Sequence, residues 1–125
     1  MSIRVLFVET DVVLVELLSQ WLKQRGMEVI ACVDTAEKAL KACKKHKPHL
    51  ALIALRVLPT SALELLQEMR RRHPSVKILV SSLWALREEV REAKLLGASG
   101  AFSRPPRLEE FQHALEACEG LHGAA

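Results

Sequence analysis

Short apolar runs alternate with longer stretches of helical periodicity along the whole chain. The first of these runs is rich in β-branched residues, which is typical of buried strands. The runs lie at residues 3–8, 28–33, 49–55 and 76–81, and a short fifth one lies within residues 97–102. After each run, apolar side chains recur every three or four positions, as in helices that bury one face. We therefore predict five strand–helix units in succession.

The first predicted helix covers about residues 12–25 and ends at Gly26. Leu14, Leu18 and Leu22 recur in it at a spacing of four residues. Side chains at this spacing lie above one another on the same side of a helix. We expect the three leucines to form its buried face.

The later helices carry similar signals at their starts and along one face. Asp34 or Thr35 is expected to cap the second helix and Ser61 the third, because their side-chain oxygens can accept hydrogen bonds from backbone N–H groups. The apolar residues expected to face inward are Ala39, Leu40 and Cys43 in the second helix and Leu65, Leu66 and Met69 in the third. The fourth helix is marked by Leu86, Val90 and Ala93, and the last by Leu108, Phe111, Leu115 and Cys118.

The first, third and fourth strand-like runs are continuously apolar and do not alternate with polar residues. Such runs indicate burial on both faces, which a parallel sheet with helices on each side requires. The predicted fold class is therefore α/β, a three-layer doubly wound (βα)5 domain of flavodoxin-like type. We expect the domain to cover residues 1–119 and residues 120–125 to form a tail or the start of a linker.

This topology also predicts where a site would lie. In open parallel sheets, ligands bind outside the carboxyl ends of the strands. The segments that follow four of the predicted strands are residues 9–11, 54–56, 81–82 and 103–105. The first of them lacks a glycine-rich phosphate cradle, which disfavours a dinucleotide site.

The net charge of +3 arises mainly from two basic clusters, at residues 41–47 and 70–73. Both fall at predicted helix C-termini, where cations are favoured by the helix dipole. Neither cluster contains aromatic residues. We therefore expect no direct binding of nucleic acid.

Three further features bear on location and redox state. No apolar run approaches the roughly 20 residues of a membrane span, and the N-terminus resembles a strand and not a signal peptide. Cys32, Cys43 and Cys118 show no metal-ligand spacing. We expect free thiols in a cytoplasmic protein that binds no membrane.

Several segments in order carry a family resemblance: VETD at residues 8–11, KPHLALIAL at 47–55, LELLQEMR at 63–70, KILVSS at 77–82 and GASGAFSRP at 97–105. With them, the chain resembles the CheY-like receiver domain of bacterial response regulators. The resemblance implies the strand order 2-1-3-4-5. It also implies a role in two-component, or phosphorelay, signal transduction.

In the family, two acids after the first strand and an aspartate after the third hold Mg²⁺. That aspartate accepts a phosphoryl group, which a hydroxyl after the fourth strand and a lysine after the fifth then bind. Carried over by position, the acid pair falls on Glu9 and Thr10, the phosphoacceptor on Ala54, the hydroxyl on Ser82 and the lysine on Arg104.

The chain departs from the family at several of these positions. Ala54 has no nucleophile and no metal ligand, and Thr10 lacks a carboxylate. Glu9 remains as an acid, with Asp11 nearby, and Arg104 keeps the positive charge. The usual pocket has a net charge of −2, whereas Glu9 and Arg104 sum to zero. We expect these two side chains to pair, and we expect no metal and no cofactor.

The aromatic residue often found after the GASG motif is Ala101 here. Together with Ala54, this predicts a pseudo-receiver: a non-enzymatic module that acts by protein–protein interaction without phosphorylation. The partner is expected to be a signalling protein or a second copy bound through helix 4, strand 5 and helix 5. The candidate partner-binding residues are Trp84, Arg91, Lys94, Phe102, Arg107, Val15 and Trp21.

Two alternatives remain open from the sequence. One is the N-terminal receiver of a larger DNA-binding transcription regulator that responds to an input other than phosphate. The other is a small flavodoxin-like enzyme. An aromatic content of 4% leaves few rings to enclose a flavin.

Overall fold

A computed structural model describes residues 2–55, 62–83, 87–104 and 106–118, except for the side chains of Leu83, Arg87 and Arg104. Five strands alternate with five helices. In chain order they are β1 (Ile3–Val8), α1 (Val12–Gln24), β2 (Met27–Val33), α2 (Ala36–His46), β3 (Leu50–Ala54), α3 (Ala62–Arg72), β4 (Lys77–Leu83), α4 (Arg87–Leu95), β5 (Gly100–Arg104) and α5 (Leu108–Glu116).

The five strands form one parallel sheet in the order β2-β1-β3-β4-β5. β3 lies at its centre, and all five of its residues are buried. This burial follows from the apolar sequence of β3, because a central strand covered on both faces offers no solvated side for polar residues. The predicted fold class and strand order are confirmed.

Two hydrophobic layers cover the two faces of the sheet. One contains α2, α3 and α4, with Leu66 and Met69 fully buried in it. The other contains α1 and α5, where the Trp21 and Phe102 rings each meet Phe111 edge to face. Each layer buries one apolar helix face against one side of the sheet, so the chain has a three-layer core.

Two helices begin with side-chain caps. Asp11 Oδ1 accepts a hydrogen bond from the Leu14 N–H at 3.2 Å, at the start of α1. Thr35 Oγ1 accepts one from the Lys38 N–H at 3.2 Å, at the start of α2. Thr35 is therefore the cap of α2, and Asp34 instead forms an ion pair with Lys38.

Most predicted inward positions of α1, α2 and α3 are buried. In α5, Phe111, Leu115 and Cys118 are also buried, whereas Leu108 at its first residue is 40% exposed. Within the predicted segment 97–102, the fifth strand begins at Gly100 and continues to Arg104.

Some predicted features lie outside the described residues: the cap at Ser61, Leu86 of the fourth helix, the end of the domain at residue 119 and the tail at residues 120–125. In the part of the chain that the structure describes, no helix is both long and apolar enough to cross a membrane.

Candidate functional site

The strand register brings the predicted pocket residues together at the carboxyl edge of the sheet. Val8 of β1 pairs with Ile53 of β3, so Glu9 and Ala54 follow side by side. Ala54 pairs with Ser81 of β4. These three residues therefore lie next to one another at the ends of adjacent strands, as the topology predicts.

The next positions along β4 and β5 extend this arrangement. Ser82 pairs with Ser103, and Leu83 pairs with Arg104. Ala54 and Ser82 are each 1% exposed, and Ser81 is also buried. The backbone therefore places Ser82 and Arg104 at the edge that the family resemblance assigns to them.

Glu9 is buried, with 4% of its surface exposed, and its carboxylate is directed to the backbone. Oε2 accepts hydrogen bonds from the N–H groups of Thr10 at 2.9 Å and Asp11 at 3.0 Å. Asp11 in turn caps α1 through Oδ1. Both acids therefore help to fix the turn between β1 and α1, since charged acceptors make strong hydrogen bonds to backbone N–H groups.

Two serines near this edge contact acidic side chains of the following helices. The Ser82 hydroxyl donates to Glu89 Oε2 of α4 at 3.4 Å. The Ser103 hydroxyl donates to Glu110 Oε2 of α5 at 3.3 Å, and the Ser103 N–H donates to Glu110 Oε1. Ser82 is the residue whose hydroxyl the family resemblance assigns to a phosphoryl oxygen. In this structure that hydroxyl lies beside the carboxylate of Glu89.

The donor set does not fit the Mg²⁺ that the fold family implies. Mg²⁺ is usually held by one or two carboxylates with ideal octahedral geometry. Ala54 contributes only a methyl group, Asp11 is turned to the start of α1, and Glu9 accepts two backbone hydrogen bonds. Among the described residues, no group of three or more potential ligands is arranged to hold a metal ion.

The predicted partner-binding residues are not all on the surface. Trp21 is 9% exposed and packs against Phe111, and Arg25 stacks on its ring with 3.6 Å between the guanidinium carbon and the ring centroid. Trp21 therefore belongs to the α1–α5 core, and the prediction that it anchors a partner is corrected. Val15 is half-buried at the edge of the same layer.

Arg91 and Lys94 are exposed and lie on α4, whereas Phe102 of β5 is 2% exposed. They line one groove of about 750 Å³ together with Ala101 and other residues of α4 and α5. Arg107 is exposed at the start of α5 and forms no side-chain cap there. Trp84 and the side chain of Arg104 lie outside the described residues, as does the predicted Glu9–Arg104 pair.

Sequence reasoning missed two residues that complete this groove. Leu95 is 78% exposed at the end of α4, and Glu88 adds negative charge to the lining together with Glu110. The exposure of Leu95 could have been inferred from the sequence. Leu95 is adjacent to Leu96, and two successive residues of a helix point in different directions, so both leucines cannot lie at the centre of one buried face.

A parallel sheet in this order, with its polar residues at the carboxyl edge, defines a doubly wound α/β fold of flavodoxin-like type. The chain matches the response regulator receiver domain over residues 5–116 and belongs to that family. It is therefore a receiver domain of two-component signalling.

Curated relatives give the same family at low identity. The chain is 27% identical over 92 residues to the response regulator GacA of Pseudomonas syringae, covering 72% of this chain and 42% of that protein. It is 27% identical over 132 residues to a protein-glutamate methylesterase/protein-glutamine glutaminase of Rhodospirillum rubrum, covering 98% and 34%. The chain thus spans less than half the length of these two relatives.

A third relative has a similar length. The chain is 21% identical over 116 residues to sporulation initiation phosphotransferase F of Bacillus subtilis, covering 93% of each. Among solved structures, a LuxR-family response regulator from Aurantimonas has a TM-score of 0.85 at 21% identity, covering 98% of this chain and 87% of that one. A CheY-like receiver domain from Methanospirillum hungatei has a TM-score of 0.83 at 22% identity, covering 98% and 96%. These structural similarities show that the chain has the same fold as these proteins.

Proposed function

We propose that this receiver domain is a pseudo-receiver, which signals by protein–protein interaction and without phosphorylation. The observation that carries the proposal is Ala54. Its buried methyl group ends β3 at the position where the family resemblance places the phosphoacceptor. A methyl group has no lone pair with which to attack a phosphoryl donor.

The surroundings of Ala54 support the same proposal. The nearby hydroxyls belong to Ser81, Ser82 and Ser103, and the latter two donate to glutamates. Phosphorylation of either serine would place a group with a charge of about −1.5 to −2 beside a carboxylate. Like charges at this separation oppose the modification, so these serines are poor substitutes for a carboxylate acceptor.

Treatment with acetyl phosphate and Mg²⁺, followed by intact-protein mass spectrometry, tests this proposal. We expect no adduct of about 80 Da, the mass of one phosphoryl group. A receiver domain that carries the usual aspartate, treated in parallel, controls for the activity of the donor. An adduct that maps to residues 2–118 would overturn the proposal.

The same proposal assigns protein docking to the groove between α4, β5 and α5. Its lining combines exposed Leu95 with two basic and two acidic side chains: Arg91, Lys94, Glu88 and Glu110. A surface that carries both signs of charge around an apolar centre suits an isologous contact, in which the same patch occurs on both sides. It also suits a signalling protein with complementary charges.

Sedimentation velocity over a range of protein concentrations tests the groove as a self-association surface. We expect a concentration-dependent dimer that Leu95→Glu abolishes. Val12→Glu, which also places a carboxylate on an exposed apolar position but on α1, is the matched control. If the protein remains monomeric at every concentration, the groove serves a different protein. If both variants weaken the dimer equally, the docking surface lies elsewhere.

A further inference from the structure

A second concave site lies at the amino edge of the sheet, opposite the pocket at Ala54. It is a cavity of about 430 Å³ between the C-termini of α2 and α3 and the segments that enter β3 and β4. We call it the basic cavity. Its lining residues are Cys43, Lys44, Lys47, Pro48, His49, Arg72, His73, Pro74, Ser75 and Val76.

The basic cavity has three cationic side chains and no carboxylate among the described residues that line it. Lys44 and Lys47 are exposed, and neither has an acidic partner in the described ranges. Arg72 is contacted by Glu68 through Nε at 2.8 Å. The side chains that line the site therefore carry an excess of positive charge, which the C-termini of α2 and α3 offset only in part.

Helix capping does not account for the two lysines. The carbonyl groups at the end of α2 are already bound by Arg4 of β1. Its Nε donates to the His46 carbonyl at 3.2 Å, and its Nη2 donates to the Lys47 carbonyl at 2.8 Å. Arg4 therefore supplies the positive charge at the C-terminal carbonyls of α2, the negative end of the helix dipole. The ammonium groups of Lys44 and Lys47 are not used for these carbonyls and can contact a bound anion.

His49 supplies a neutral N–H donor to the same cavity. Its Nδ1 accepts a hydrogen bond from the Arg4 backbone N–H at 2.8 Å, which leaves the ring proton on Nε2. Burial, together with the Arg4 charge, lowers the pKa of His49. The imidazole therefore offers one fixed N–H donor near two ammonium groups and a guanidinium.

We propose that the basic cavity binds a small phosphorylated molecule that carries a diphosphate group. Two or three negative charges would match Lys44, Lys47 and Arg72. Phosphate oxygens accept charge-assisted hydrogen bonds from both ammonium and guanidinium groups. The described lining includes no Phe or Trp ring on which a base could stack, so recognition rests on the phosphates.

A small ligand fits the surroundings better than nucleic acid does. The cavity is concave, and Glu68 of α3 lies near it, where it pairs with Arg71 and Arg72. An extended phosphate backbone would have to pass this carboxylate, whereas a diphosphate group would fit within the volume of about 430 Å³. The net charge of +3 is also modest for a protein that binds nucleic acid.

Isothermal titration calorimetry with pyrophosphate at low ionic strength tests the site. We expect binding with one site per chain. Lys44→Gln and Lys47→Asn should each weaken it about tenfold, the effect of losing one hydrogen bond to a charged group. Asn is chosen at Lys47 because this residue has a φ of +48°, a conformation that Asn tolerates well. If Lys47→Asn fails to fold, Lys44→Gln alone decides.

Lys45→Gln is the matched control. Lys45 is the exposed neighbour of Lys44 on α2, has no acidic partner among the described residues and does not line the cavity. We expect this variant to bind pyrophosphate with an unchanged constant. Equal loss in all three variants would mean diffuse attraction and would overturn the proposal, as would the absence of any binding heat.

Two comparison ligands separate phosphate recognition from other anion binding. Citrate carries a similar charge on carboxylates, and we expect it to bind more weakly than pyrophosphate. Equal binding of citrate would overturn phosphate recognition. A short DNA duplex is the second comparison ligand. If it bound more tightly than pyrophosphate, and if Lys44→Gln and Lys47→Asn weakened its binding to the same extent, nucleic acid would be the ligand and the proposal would be overturned.

Discussion

His49 accepts a hydrogen bond from the backbone N–H of Arg4 through Nδ1, at 2.8 Å. Protonation of Nδ1 would remove this acceptor, and the burial of the ring opposes the charged form as well. Both the burial and the Arg4 charge keep the pKa of His49 below its ordinary value of 6.5. The free energy of unfolding therefore depends on pH through the protonation of His49.

Below about pH 6.5 the unfolded chain gains a proton at His49 before the native chain does, so stability falls as the pH decreases through this range. We expect the free energy of unfolding to fall more steeply in the wild type than in His49→Asn, measured by urea denaturation at several pH values. Asn Oδ1 can keep the hydrogen bond without titrating. Parallel pH profiles for the two proteins would contradict this role of His49.

A charged side chain at position 54 should destabilise the domain. Ala54→Asp would place a carboxylate at a position that is 1% exposed and next to Glu9 in the register. An unpaired buried charge typically costs about 3 kcal/mol or more. We expect this loss of unfolding free energy at neutral pH, and a smaller loss at acidic pH where the new carboxyl is protonated.

Ala54→Asn is the control, because it has nearly the same shape as aspartate and carries no charge. We expect it to destabilise the domain by about 1–2 kcal/mol, the range for a buried polar group. If Ala54→Asp is instead as stable as the wild type in chemical denaturation, a cation in the pocket compensates for the carboxylate.

Sequence reasoning could place Ala54 and Ser82 at one edge of the sheet, because the order of parallel strands fixes which strand ends are neighbours. It did not find that Glu9 binds the backbone of the following turn, since hydrogen-bond direction depends on side-chain torsions and not on strand order. It also assigned Trp21 to the surface, because an apolar residue at a helix flank looks the same in sequence whether or not α5 covers it.

At the level of elements, Arg70 connects α3 with the turn between α4 and β5. Its guanidinium donates to the Pro74 carbonyl at 2.6 Å and to the Gly97 carbonyl at 2.7 Å. Gly97 has a φ of +119°, and a Cβ there would lie 2.8 Å from Arg70 Nε. The glycine therefore permits both the backbone conformation and the close approach of the arginine.

Gly97→Ala should destabilise the domain by more than the roughly 1 kcal/mol that a non-glycine residue costs in the left-handed region. Gly26→Ala is the matched control. Gly26 also has a positive φ, +79°, but a Cβ there would meet none of the described residues within 4 Å apart from its chain neighbours. Thermal or urea denaturation of both variants measures the difference. Equal destabilisation would show that the contact with Arg70 contributes nothing beyond backbone strain.

Element type was predictable over most of the chain, and element ends were less so. The periodic leucines of α1 are buried as expected, since a four-residue repeat specifies a single helix face. The start of β5 at Gly100 could be located only within residues 97–102, because the end of an element depends on how its neighbours pack. That boundary is a property of the packed structure and is not encoded by a local pattern.

Across the whole molecule, polar features lie at both edges of one apolar sheet. The carboxyl edge carries Glu9 and the serines, and the amino edge carries the basic cavity. The central strand β3 joins the two edges and is buried along its whole length. Coupling between the two sites would require an element with two arrangements that both sites favour differently, so we treat the two sites as independent.

The response of the whole domain to a phosphoryl donor follows from the same arrangement. A ligand shifts a conformational equilibrium only by its difference in affinity between two states. Under the proposed function, acetyl phosphate has no acceptor at Ala54, and Ala101 supplies no aromatic ring at the position after the GASG motif. We expect hydrogen–deuterium exchange in α4, β5 and α5 to be the same with and without acetyl phosphate and Mg²⁺. Protection that changes in these elements, with no covalent adduct, would indicate that the pocket still recognises a phosphoryl donor and controls the groove without chemistry.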